Sequence, residues 1–322
     1  MRKDLTKKNL KEKKHYQGSM VSINIAKFLI ENEKKESMIS YDKIEFINIF
    51  NSDKTSLNIK NSMYLGLKHK NEIKILKGKE FNMVYCGFAS STKNKSIFNY
   101  PFWIGEKEIS FGFYFLVNGS CPYHYANEKI PNNIFEVPIH YVTYYDAILF
   151  CNKLSQLQGY KPYYEIEIKK GTKIGKGGIL HQNIEQAKIK ILGGNGYRLP
   201  LKKEWECAAK AGTNNKWSGC NDATLVDLYA QYGKEADDLY SLNTIASKKP
   251  NEWGIYDMSG NIEEWCHQEK KIEPNKAFDS CAVAKGGNMQ SKVENIAISS
   301  TTTPSPDYAA NWRGFRVARS LC

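Results

Sequence analysis

The residues best placed to do chemistry lie in Asn251-Glu-Trp-Gly-Ile-Tyr-Asp-Met-Ser-Gly-Asn-Ile-Glu-Glu-Trp265. Asp257, Glu263 and Glu264 bring carboxylates together there, the hard oxygen donors that a hard cation takes. The glycines permit left-handed backbone or close approach of another segment, and the tryptophans supply buried area in coil-rich structure. The stretch reads as a structural knot in the core and as a candidate hard-cation site. The bland alternative is that these carboxylates cap and hydrogen-bond the knot without an ion.

Other reactive side chains form no recognisable constellation. The eight cysteines (86, 121, 151, 207, 220, 266, 281 and 322) include no C-x-x-C pair, so zinc-ribbon and thioredoxin readings fail. They read as scattered small hydrophobes, reduced in a cytoplasm. The six histidines (15, 69, 124, 140, 181 and 267) show no metal-ligand spacing, and no nucleophile elbow supports a Ser-His-Asp arrangement. Lys169–Gly178 looks like a phosphate loop only superficially. Gly171 and Gly175 are one residue too close, and Gly177 stands where Ser or Thr is required after the lysine. A Gly/Lys hairpin or loop is the expectation.

Composition bounds the rest. A chain of 322 residues with 41% hydrophobic and 12% aromatic content can bury one large or two ordinary domains. The net charge is +12, and residues 1–80 hold 18 Lys/Arg against 10 Asp/Glu, a net of +8. The basic character is thus largely N-terminal. Without a basic patch interleaved with aromatics, it reads as a solvated tail and not as a nucleic-acid site. No segment is apolar enough to span a membrane. Residues 1–17 lack a signal peptide's apolar region, so the sequence as written predicts a cytoplasmic protein.

The elements that must position these groups follow in order. Residues 1–20 read as a disordered basic tail, and residues 21–80 as a lobe of a short helix and a few strands, of unknown role. Phe81–Phe88 and Phe102–Ser110 read as strands, with Ser110 capping a short helix through Val117. Thr143 is an N-cap, with Asp146 three residues on, for a helix over about 144–158. That helix buries Ala147, Phe150, Cys151 and Leu154 and stops at Gly159. Tyr160–Ile168 reads as a strand. A second main helix lies between Pro200 and Gly212 and buries Trp205, Ala208 and Ala209. Ala282–Asn288 is a strand entering a bend. Gly314–Arg319 is a closing strand with Phe315 and Val317 inward.

Five of these blocks, in this order, resemble the sulfatase-modifying-factor family, the formylglycine-generating-enzyme fold. They are Pro101–Ser110, Val142–Ser155, Gly196–Gly212, Gly254–Trp265 and Gly314–Arg319. The resemblance covers about residues 81–322. It implies an α+β, C-type-lectin-like fold of low regular secondary structure, with two main helices and short strands. Some members of the family oxidise a substrate-protein cysteine to formylglycine with copper and oxygen. Others form half of iron-dependent sulfoxide synthases, and others are binding modules, including diversified ligand-binding proteins.

The resemblance also places sites. The family's two copper cysteines follow the Gly-Gly-Ser bend, here Gly286-Gly287-Asn288, and fall on Ser291 and Ile296. Cu(I) is soft and needs thiolates, so no catalytic residues and no copper are expected. A divergent oxidase would need Cys281 instead. The family's calcium positions fall on Asp257, Gly260, Ile262 and Glu264, which makes a structural calcium ion the one implied cofactor. The segment Asn288–Arg313 matches the one that varies in diversified members. Gln290, Lys292, Glu294, Asn295, Tyr308, Asn311 and Trp312 are the candidate ligand face, for an unknown protein or small ligand. Ordinary solvated coil is the alternative there. The expectation is a non-catalytic binding module, with the divergent oxidase as its rival.

Overall fold

The computed structural model describes residues 30–32, 35–37, 45–49, 64–69, 72–77, 82–86, 100–118, 122, 136–176, 179–234, 244–268, 277–278 and 281–320. The expected basic tail and the short helix of the 21–80 lobe lie outside them. Within that lobe, β1 (Ile30–Asn32) and β2 (Lys35–Ser37) pair antiparallel. β3 (Glu45–Ile49), β4 (Tyr64–His69) and β5 (Glu72–Lys77) form a three-stranded antiparallel meander.

The rest is built on two four-stranded sheets. One has the order β10–β16–β7–β6, from Tyr197–Arg198, Ala318–Ser320, Phe102–Gly105 and Met83–Cys86. The other has the order β14–β13–β11–β15, from Thr301–Thr302, Ala282–Lys285, Glu263–His267 and Arg313–Gly314. The closing strand expected over 314–319 is therefore two strands in two sheets. Residues 315–317 cross between them, and the crossing is pinned because Phe315, Arg316 and Val317 are all fully buried.

The helices form where capping and pattern predict. α1 (Phe111–Asn118) is apolar all round and buried along its length, as such a helix must be. The Ser110 hydroxyl accepts from Phe113 N at 3.1 Å. α2 (Tyr144–Leu157) starts with a complete capping box between Thr143 and Asp146, and its stripe Ala147, Phe150, Cys151 and Leu154 is buried. Gly159 follows at φ 78°. α3 (Lys202–Lys210) buries Trp205, Ala208 and Ala209.

β8 (Tyr164–Lys176) and β9 (Ile179–Ile191) form a long antiparallel hairpin. β8 runs well past the expected end at Ile168, and the Gly/Lys stretch is part of it. Irregular pairing around Lys170 absorbs the change. β12 (Ala277–Phe278) pairs only near the hairpin's base.

One apolar cluster joins α1, α2 and the hairpin to Trp265, Phe315 and Val317. A second joins Phe102, Ile104 and Cys86 to Trp205, Cys266 and Val283. Trp265 and Cys266 are adjacent on β11, so this strand has a core on each face. A small third cluster, with Trp217, Val226, Ile296 and Ala297, lies beneath the segment after β13. The described cysteines (86, 151, 207, 220, 266 and 281) are all free.

Candidate functional site

β11 reads Glu-Glu-Trp-Cys-His, yet every one of its residues is buried. A buried charge is tolerated only when it is paired and hydrogen-bonded, and each of these is. Glu263 accepts from Arg313 Nε at 2.6 Å and from the Thr302 hydroxyl. Glu264 takes both arms of the Arg316 guanidinium at 2.7 and 2.6 Å, and Trp205 Nε1 at 2.8 Å. His267 lies between the Tyr144 hydroxyl at Nδ1 and the Tyr164 hydroxyl at Nε2, both at 2.5 Å. Leu199 N donates to the Tyr164 hydroxyl, and Nδ1 also lies 3.3 Å from the Cys281 thiol. Burial, reinforced by Arg198, lowers the His267 pKa to about 3.

The knot before β11 is shaped by Asn251. Its side-chain oxygen accepts from the Trp253 and Ile255 amides, while its nitrogen donates to Ala208 O. At Gly260, φ is 81° and a β-carbon would collide with the Gln231 carbonyl, so only glycine fits. Asp257 and Asn261 also sit at left-handed φ, 56° and 59°.

The candidate calcium residues divide here. Glu264 accepts three hydrogen bonds, two from Arg316 and one from Trp205. Asp257 Oδ2 accepts from Ala246 N at 2.6 Å, and its Oδ1 is buried without a partner. Two further buried oxygens lack partners, Glu108 Oε1 and Asn261 Oδ1, and Asn261 Nδ2 donates to Glu108 Oε2 at 2.6 Å. Burial raises the Asp257 pKa to about 6. Burial, with Asp257 as the main charged neighbour, holds Glu108 well above the carboxylate range. Sequence reasoning missed Glu108, because nothing local ties it to a knot 150 residues away.

The two loops of the candidate ligand face leave one end of the second sheet. Lys285 at the end of β13 pairs with Glu264 near the start of β11. β15 runs parallel to β11 from that same end, and Thr301 of β14 pairs with Lys285. Residues 286–300 and the return to Arg313 are thereby brought together. Lys292, Glu294, Asn295 and Tyr308 are exposed; Gln290, Asn311 and Trp312 are half-buried.

The loops are anchored from within. The buried Lys285 ammonium donates to Ile298 O at 2.7 Å, Ser300 O at 2.5 Å and Glu206 at 2.9 Å. Trp217 Nε1 holds Val293 O at 2.8 Å, and Gly233 N holds Ser291 O at 3.0 Å. The Arg313 guanidinium stacks 4.8 Å from Trp265 and 5.8 Å from the exposed Tyr308 ring.

The two copper-cysteine positions meet at the bend. A methyl placed on Gly287 would lie 3.1 Å from Ser291 Oγ and 2.9 Å from Ile296 Cγ2. The Ser291 hydroxyl accepts from Asn288 N, and Ile296 is fully buried in the third cluster. Cys281 precedes β13 at the other end of the strand from the bend, in the first core cluster.

With this geometry in place, the chain can be put in its family. Residues 82–321 match the sulfatase-modifying factor enzyme 1-like domain, and the chain belongs to that family. It is 31% identical over 246 residues to the chaperone protein LppX of Paenibacillus barcinonensis, covering 72% of this chain and 84% of that one. It is 26% identical over 149 residues to the formylglycine-generating enzyme of Thermomonospora curvata, 38% of this chain and 49% of that enzyme. Among solved structures, Treponema denticola variable protein 1 aligns with a TM-score of 0.57 and 26% identity, over 83% of this chain and all of the other. Among the described residues no helix is long and apolar enough to cross a membrane.

Proposed function

We propose that this chain is a non-catalytic binding module whose ligand face is formed by the loops of 288–312. The observation that carries the reading is the bend at Gly287. Its two flanking positions are a hydroxyl and a buried isoleucine, neither a ligand for Cu(I). Cys281 is held at the far end of β13 by the core. A rigid sheet end bearing exposed short polar side chains and a tyrosine is the construction used by adaptable binding surfaces. The likeness to a chaperone over most of the chain, and to a variable protein in fold, supports binding over turnover.

A library randomised at Lys292, Glu294, Asn295 and Tyr308 tests the reading without knowledge of the natural ligand. Such a library keeps near wild-type yields of folded protein, and selection against an immobilised unrelated protein recovers specific binders. Loss of folding across the library, or folded variants without any binders, contradicts it.

We further propose that a calcium ion is held at the knot, with Asp257 as its central side chain. The orphaned oxygens of Glu108 and Asn261 belong to the same cluster, whereas Glu264 is committed to Arg316. An ion bound only by the folded state raises stability, by about 2.7 kcal/mol at a hundredfold excess over Kd. Millimolar calcium is expected to raise the thermal midpoint more at pH 8 than at pH 5, because protons must leave Asp257 and Glu108. Asp257→Asn removes the effect. An unchanged midpoint with calcium or chelator at both pH values refutes the site.

A further inference from the structure

The first sheet carries a row of side chains that the ligand loops do not use. Tyr197 pairs with Arg319, Arg319 with Trp103, and Trp103 with Tyr85. Directly paired residues point to the same side of a sheet. The four therefore form one line across β10, β16, β7 and β6, about 14 Å long at three strand spacings. Further along the same side, Val317 is sealed into the first core cluster. Tyr197 at one end of the row is in that core too, and the side opens from Arg319 to Tyr85. Tyr85 is 50% exposed, and Trp103 and Arg319 are half-buried.

Arg319 is held rigid. Its guanidinium lies 4.5 Å from the Tyr160 ring and 5.9 Å from Tyr197, and Nη1 donates to the Tyr160 hydroxyl at 2.8 Å. Tyr85 and Trp103 pack edge-to-face at 5.3 Å. The other described arginines, Arg198, Arg313 and Arg316, each pair with a buried glutamate. Arg319 has no carboxylate partner among the described residues, although its Nε, which meets no acceptor, is itself buried.

We propose that this row is a docking face for an acidic polypeptide, with an Asp or Glu carboxylate of the partner received by Arg319. Tyr85 and Trp103 would cover the apolar group beside that carboxylate. Trp, Tyr and Arg are the residue types that dominate protein–protein hot spots, and here they are already fixed in place, which lowers the entropy lost on binding. Charge selects the kind of partner. Residues 81–322, which carry this sheet, hold +4 of the chain's +12, the other +8 lying in residues 1–80, so a second copy would still bring a domain of its own sign. A nucleic acid would need several cations along its phosphates, and this row has one. The proposal is independent of the ligand loops, which lie on the other sheet.

The test is a fluorescence-anisotropy titration of the full chain into three labelled probes: a random glutamate/tyrosine copolymer, polyglutamate and oligothymidylate. Saturable binding of the glutamate/tyrosine copolymer is expected, stronger than that of polyglutamate. Arg319→Gln and Tyr85→Ala should each weaken it about tenfold or more, at unchanged thermal midpoint. Tyr85 is on an exposed edge strand, so its variant keeps the test open if Arg319→Gln fails to fold. The proposal is overturned by absence of copolymer binding, or by binding indifferent to the variants that fold. It is equally overturned if oligothymidylate binds with the same variant dependence, or if a wild-type dimer is lost in Tyr85→Ala.

Discussion

Protonating His267 would place an imidazolium against two phenols and a thiol, with Arg198 nearby and no carboxylate hydrogen-bonded to it among the described residues. Burial likewise lowers His140 to about 4. Both folded pKa values lie below the ordinary value of about 6.5, so the unfolded chain binds more protons between those limits. The stability they contribute is complete above about pH 6.5 and is lost as pH falls toward 4 and then 3. Denaturant titrations are expected to show stability falling below pH 6.5, with a shallower fall in His267→Gln at equal starting stability. Asp257, raised to about 6, and Glu108 take up protons in the folded state over the same window and oppose this fall, so the comparison with the variant decides: a His267→Gln curve that falls as steeply as wild type from pH 7 to 4 would exclude this role. No sequence pattern revealed it, because Tyr144, Tyr164 and Cys281 come from separate elements that meet only in the fold.

At the scale of elements, β11 depends on its charges being matched. Breaking a buried pair by removing one partner costs about 3–5 kcal/mol, since the other charge stays buried and unpaired. Arg316→Met, which strands Glu264, is therefore expected to lower stability by about that amount in equilibrium unfolding. A loss under 1 kcal/mol would show that Glu264 finds other compensation. The elements themselves were largely legible. The caps at Ser110 and Thr143, the stripe of α2 and the buried face of α3 are local signals, and local physics formed them. The closing segment was less so. Alternation placed Phe315 and Val317 inside, but could not show that Arg316 is also buried, because its partner Glu264 lies 52 residues away. The Gly/Lys stretch, expected as a hairpin or loop, lies in a hairpin, with residues up to Lys176 held in β8 because pairing with β9 outweighs their weak local preference for strand.

For the whole molecule, the five sequence blocks sufficed to place the chain in its family and fold. The site was legible only in part. Ser291 and Ile296 could be located by counting from the bend, but their convergence on Gly287 is a matter of three dimensions. So is the capture of Glu264 by Arg316, and so are the contributions of Glu108, Lys285 and Arg313. The account holds that the family scaffold is kept here while the copper chemistry is replaced by a binding surface. The most direct test is to incubate the full chain with one equivalent of Cu(I), oxygen and a sulfatase-type cysteine peptide, and to follow bound copper and peptide oxidation together. The account predicts that copper is removed by a mild competing thiol and that the peptide cysteine stays unchanged. Retention of one equivalent of copper with oxygen-dependent formation of formylglycine would contradict it.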